Sequence, residues 1–205
     1  MAHIELNQMN ALQFDVLKEI GNIGAGNATT ALAKMLNTKI DMKVPKVDLL
    51  GFKELPEMIG GAENLVVGIL LTLEGNIDGM MMFVVEEASA RKILTLLMGT
   101  ETQCGSGFSE MEESALNEIG NIITGAYLSS LSTLTNMKII PSIPYMAIDM
   151  AGAILSVPAI EFGKIADKAL LIETEFGEKE TSVNGFFILI PTLESYNVIL
   201  SSLGL

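Results

Sequence analysis

Apolar and polar positions along this chain follow two periods, and a helical one leads. In LKEIGNIGAGNATTALAKML, from Leu17 to Leu36, the apolar or small residues Leu17, Ile20, Gly24, Ala28 and Ala31 share one side of a helix. Asp15, Glu19, Asn22 and Gly26 recur at the same spacing on another side, as a polar stripe. The pattern turns strand-like in TKIDMKV, passes through a Gly- and Pro-containing connector, GFKELPEMIGG, and becomes β-rich in NLVVGILLTLEG and IDGMMMFVV. It ends on the helical EEASARKILTLLMG.

The order then starts again. Shifted by 99 residues and without a gap, LKEIGNIGAGNATTALAKMLNTKIDMKVP lies over LNEIGNIITGAYLSSLSTLTNMKIIPSIP. Leu17, Glu19, Ile20, Gly21, Asn22, Ile23, Gly26, Leu32, Asn37, Lys39, Ile40 and Pro45 each meet the same residue type, a match that chance does not produce in one register. Ser109 followed by Glu112 is a capping box, and Asn10 with Gln13 is its counterpart. Each helix is therefore expected to start there and run about 25 residues, to near Asn37 and Asn136. In the second copy the polar stripe is Ser114, Glu118, Asn121 and Gly125, and Leu116, Ile119 and Leu131 read as core. The connector DMAGAILSVPAIEFGK, strands in KALLIETEFG and VNGFFILIP, and the helical TLESYNVILSSLG complete it.

Each half thus reads helix, strand, connector, two strands, helix. The expected fold is α+β: two repeats, about 10–99 and 109–204, form one domain over residues 1–205 around a pseudo-twofold axis, with two separate small domains as the alternative. The strands share one sheet, with the long helices outside it or on one face.

Three glycines within six residues, Gly21, Gly24 and Gly26, need a reason, since each costs a helix roughly 1 kcal/mol relative to Ala. Their order is not that of a nucleotide loop, and the second copy replaces Gly24 by Ile123 while keeping the acid and the amide. What repeats is the side-chain pair. Gly21 and Gly120 read as close packing of helix on sheet. Gly26 and Gly125 lie one turn beyond the Asn, where a missing side chain lets another surface come close.

The 49% hydrophobic content supplies a core, and no apolar stretch approaches the roughly 20 residues of a membrane span. The start carries no basic region followed by an apolar core, so the chain is read as cytoplasmic. A net charge of −13 argues against nucleic acid and acidic membranes, and leaves a partner with a basic patch compatible. Cys104 is a loop thiol without the arginine that a cysteine phosphatase needs, and His3 is the lone histidine. Histidine catalysis and His/Cys zinc sites are unsupported.

With both copies in view, the chain carries [D/S]-x3-E-x2-N-x22-P twice: Asp15, Glu19, Asn22 and Pro45, then Ser114, Glu118, Asn121 and Pro144. In that motif it resembles the CheC/CheX/FliY family of chemotaxis phosphatases, over essentially its whole length. The resemblance implies hydrolysis of the aspartyl phosphate on the response regulator CheY. It also implies a second partner, CheD, a receptor deamidase that enhances the activity. Glu19 and Glu118 would pair with a lysine of CheY, and Asn22 and Asn121 would position the attacking water. Asp15 and Ser114 would support the site's edge, and Pro45 and Pro144 would be structural.

The chemistry is coherent without the family. Phosphoryl transfer through a loose transition state needs positioned water and charge neutralisation more than a strong base, and an amide offers both acceptor and donors. Mg2+ would belong to the acidic pocket of CheY, with no cofactor or metal bound by this chain. The rival reading is a noncatalytic adaptor for CheY or flagellar switch proteins, which has no need to keep the Glu/Asn pair twice. Asp149 to Pro158, where the copies diverge, is a candidate contact for a partner unique to one half.

Overall fold

The run GMMMFVVE, Gly79–Glu86, is apolar on both of its faces, and the architecture follows from covering both. The computed structural model describes residues 11–36, 41–99, 107–162, 168–176 and 183–204. The first half contains α1 (Ala11–Leu36), β1 (Met42–Lys43), β2 (Val47–Gly51), α2 (Leu55–Met58), β3 (Leu65–Gly75), β4 (Gly79–Glu86) and α3 (Glu87–Met98). The second contains α4 (Glu110–Thr135), β5 (Ile139–Pro141), β6 (Tyr145–Met150), α5 (Ala151–Phe162), β7 (Lys168–Phe176), β8 (Val183–Pro191) and α6 (Leu193–Ser202).

The strands form one antiparallel sheet in the order β1-β7-β8-β4-β3-β5, with β2 also on β7 and β6 also on β3. Each half therefore sends its first strands to the far half. Met42 stands opposite Phe176, and Pro141, ninety-nine residues beyond Met42, stands opposite Leu73. At the centre β4 pairs with β8. Met82 and Ile188, each three residues past the glycine of its strand, face each other, as an approximate twofold axis through that pair requires.

Alternation along the central strands divides the core. Met81, Phe83, Val85, Phe187 and Leu189 point to one face, where α1, α3, α4 and Ile199 of α6 cover them. Met80, Met82, Val84, Phe186, Ile188 and Ile190 point to the other, under Leu55 and Ile59 from the first half and Ile154 and Leu155 of α5. The result is three layers, helices on both sides of the sheet.

The two long helices form as their apolar spacing predicts, at 26 residues each. Ser109 Oγ accepts the N–H of Glu112 at 3.3 Å, and the Glu112 carboxylate accepts the N–H of Ser109 at 2.7 Å, closing the capping box. Asn10, its counterpart, lies outside the described residues, as do His3, Asn37 and Cys104. The bonds from Ser109 hold the Glu112 carboxyl below its ordinary value of 4.5. Ser109→Ala is expected to cost about 1 kcal/mol in denaturant unfolding at neutral pH. Because the folded pKa is depressed, the carboxylate's share is present above about 4.5 and is lost as pH falls through the folded value. The wild-type advantage should therefore narrow in acid; an advantage independent of pH would contradict the box.

The connectors depart from the sequence expectation. DMAGAILSVPAIEFGK contains α5, despite Gly152 and Pro158, because Ile154 and Leu155 are buried against the second face of the sheet. GFKELPEMIGG contains the short α2 for the same reason, with Leu55 and Ile59 fully buried. Asp149 is in β6 and not in a connector. The strands expected around Pro45 and Pro144 are interrupted there and resume as β2 and β6, since proline has no N–H for the ladder. Ala31, read as core, is exposed, and its neighbour Leu32 is the buried residue of that turn.

Candidate functional site

The stripes singled out from the sequence lie on the outer side of the α1–α4 layer. Leu17, Ile20 and Ala28 of α1, with Leu116, Ile119 and Leu131 of α4, turn the opposite way into the core. That anchoring leaves Asp15, Glu19 and Gly26 exposed with Asn22 half-buried, and Ser114, Glu118, Asn121 and Gly125 all exposed. Among the described residues, none of the carboxylates of Asp15, Glu19 and Glu118 is in an ion pair. They remain available for a cation brought from outside.

The glycines divide as the sequence suggests. A Cβ on Gly21 would meet the Val44 side chain at 3.2 Å, and one on Gly120 would collide with Ile69 of β3. Gly24 lies against Tyr127, whose Cα would be 3.1 Å from an added Cβ, so α1 and α4 touch almost backbone to backbone. Asn27 Nδ2 donates to Ser130 Oγ across that seam at 2.9 Å. Tyr127 in turn stacks on Phe187, with ring centroids 5.4 Å apart, and burial pushes its hydroxyl pKa upward. At Gly26 and Gly125 a Cβ would meet nothing within 4 Å. Their bareness serves no contact inside the chain.

The amides differ. Asn22 Oδ1 accepts the main-chain N–H of Val44 at 3.1 Å, just before Pro45 in the break between β1 and β2. Asn121 makes no hydrogen bond with its side chain among the described residues. Pro45 and Pro144 thus sit in strand breaks and not among the exposed stripe residues. The Val44 contact was not legible in the sequence, because its donor is backbone; the fixed distance from Asn22 to Pro45 was the available signal. Neither the Asn27–Ser130 bond nor the Gly24–Tyr127 contact had a counterpart in the repeat that could have drawn attention to it.

A small apolar cavity of about 10 Å³ lies beneath the helices between Leu17, Tyr127, Leu189 and Tyr196, about the size of one water and too small for a substrate. Burial there pushes the Tyr196 hydroxyl up to about 12, so it stays un-ionised near neutrality. Among the described residues there is no group of three or more His, Cys, Asp or Glu placed to hold a metal, and no helix long and apolar enough to cross a membrane. What the surface offers is a carboxylate and an amide one helical turn apart, twice, on an open face. Such a pair orients and neutralises; it contains no group poised as a strong base.

Comparison with known proteins gives this surface relatives. The model of the CheC-like family matches residues 12–48 and 111–144, the two segments that carry the stripes. The CheY-P phosphatase CheC of Bacillus subtilis (strain 168) is 35% identical over 202 residues, covering 97% of each chain. The crystal structure of Thermotoga maritima FliY superposes with a TM-score of 0.76 at 21% identity, over 96% of this chain and 98% of that one. The FliM middle domain from H. pylori superposes at 0.69 with 13% identity, over 95% and 99%. These two likenesses concern the fold.

Proposed function

We propose that this chain, which belongs to the CheC-like family, is a phosphatase that hydrolyses the aspartyl phosphate of the chemotaxis response regulator CheY. The observation that carries the reading is the repeated outward pair, Glu19 with Asn22 and Glu118 with Asn121, on the segments the family model matches. Water attacks phosphorus, the bond to the aspartyl oxygen breaks, and carboxylate and inorganic phosphate separate. Each Glu holds a lysine of CheY and so docks the helix. Each Asn brings water into line with the leaving oxygen, a contribution of position and not of basicity. Asp15 and Ser114 border the two sites. Mg2+ in the acidic pocket of CheY supplies charge neutralisation, and the chain adds no metal of its own.

Gly26 and Gly125 support this reading, since an amide reaching a recessed acyl phosphate needs the helix against the partner. Gly26→Leu with Gly125→Leu is expected to slow CheY-P dephosphorylation by about tenfold or more with no loss of stability, and with a gain of up to about 1 kcal/mol per site from helix propensity, because an added Cβ meets only open space. Full phosphate release from phosphorylated CheY by that variant would remove the close approach from the mechanism.

For CheD we infer the opposite face of the sheet. The outer side of α5 carries Ala153, Val157 and Ile160, the last 75% exposed, and Asp149 borders it. The first half has only the four-residue α2 in that layer, which fits a partner of one half alone. Asp149→Lys is expected to weaken CheD binding about tenfold in a titration, with phosphate release by the chain alone unaltered. Unchanged affinity would move CheD elsewhere.

A further inference from the structure

The same sequence motif is built in two different ways. In the first half Val44 is buried at 3% exposure, its side chain lies on Gly21, and its N–H is bound by Asn22 Oδ1 at 3.1 Å. Ile143 holds the corresponding position before Pro144, and it is 90% exposed. Gly120 there packs on Ile69 of β3 and not on the segment before the proline, and the Asn121 amide has no partner among the described residues.

We propose that the main-chain N–H of Val44 is a positioning group for Asn22, and that the second site works without one. An N–H can be satisfied only by the amide oxygen, so the bond sets which end of the amide faces inward and turns Nδ2 toward the partner. The first site therefore presents a fixed donor to the phosphoryl group or its water. Asn121 is free to turn either end outward and is ordered only when a partner docks. Gly21 is part of the device: without a Cβ it lets Val44 settle close enough to α1 for its N–H to reach Asn22. Pro45 ends the β1 ladder at that point, which leaves the Val44 N–H for a side chain.

The proposal rests on the phosphatase reading, and two measurements keep the two apart. The first is hydrogen exchange in the free protein. Val44 N–H is expected to exchange at least about tenfold faster in Asn22→Ala than in wild type, the factor that 1.4 kcal/mol corresponds to, whereas Ile143 N–H is expected to be indifferent to Asn121→Ala. Equal Val44 exchange in the two proteins would overturn the tie. The second is turnover of phosphorylated CheY in an Asn121→Ala background, where only the first site acts. Gly21→Ala and Gly21→Val, which push Val44 away by increasing amounts, are expected to lower kcat in that order, to about a tenth for Val, with KM unchanged. If Gly21→Val does not fold, Gly21→Ala and the exchange result decide. Unchanged kcat with Val44 exchange accelerated would overturn the positioning role while the phosphatase reading stood. Failure of wild type itself to release phosphate would sink that reading, and the positioning role of Val44 in turnover with it.

Discussion

Asn22→Ala combined with Asn121→Ala is expected to lower the chain's acceleration of CheY-P hydrolysis by about 100-fold or more, the scale on which losing one well-placed donor to a developing charge acts. Each single variant should lose far less. The amides sit on different helices, α1 and α4, so one variant leaves the other site intact, and a loss near twofold is expected if the two contribute equally. The substitutions are also gentle on the fold. Asn121 is exposed and its side chain makes no hydrogen bond among the described residues, and Asn22 gives up one bond to Val44. Stopped assays of phosphate release, with unfolding curves beside them, separate catalysis from stability. A double variant that retained most of the activity would assign the water to another group.

Phe187→Ala is expected to be the most damaging single truncation, at about 3–5 kcal/mol. The ring is 1% exposed beside the central strand pair, 5.0 Å from Phe83 and 5.4 Å from Tyr127 by ring centroids. Its removal leaves a cavity beneath the seat of α4 as well as within the sheet. Against a total stability on the order of 5–15 kcal/mol that is a large share. Urea unfolding monitored by circular dichroism should show the midpoint fall sharply for Phe187→Ala and much less for Phe187→Leu, which refills most of the volume. A loss below about 1 kcal/mol for Ala would mean that the core does not close around this ring.

The parts of the molecule that were legible in the sequence are those whose pattern is local. The polar stripes could be read because residues three and four apart share a helix face whatever the helix packs on, and the duplication doubled the signal. The strands of β4 and β8 were legible as apolar runs, and the helices that follow them as amphipathic ones. The helix α5 was not, because Gly152 and Pro158 read as breakers within a short apolar run, and only the second apolar face of the sheet decides otherwise. A run buried on both faces, such as MMMFVV, was in hindsight a sign that a layer was missing on one side. Nor could the sequence separate the two sites. Val44 and Ile143 are both apolar residues before a proline, and their difference, one buried over a glycine and the other turned to solvent, arises from where α1 and α4 lie against their edge strands.

The two proposed sites share one face of the sheet, and α5, the proposed seat of CheD, lies on the other. Seating CheD against α5 leaves the α1–α4 layer open. On that proposal, an enhancement by CheD would reach the α1–α4 layer through the sheet, whose central strands carry core residues on both sides.

The most direct measurement is phosphate release from phosphorylated CheY, with Mg2+ present, as a function of added wild-type chain. Release is expected to rise with the chain at substoichiometric amounts, as turnover requires. Binding of phosphorylated CheY with its rate of phosphate release unchanged, with or without CheD, would contradict it and leave the paired Glu and Asn as docking residues of an adaptor.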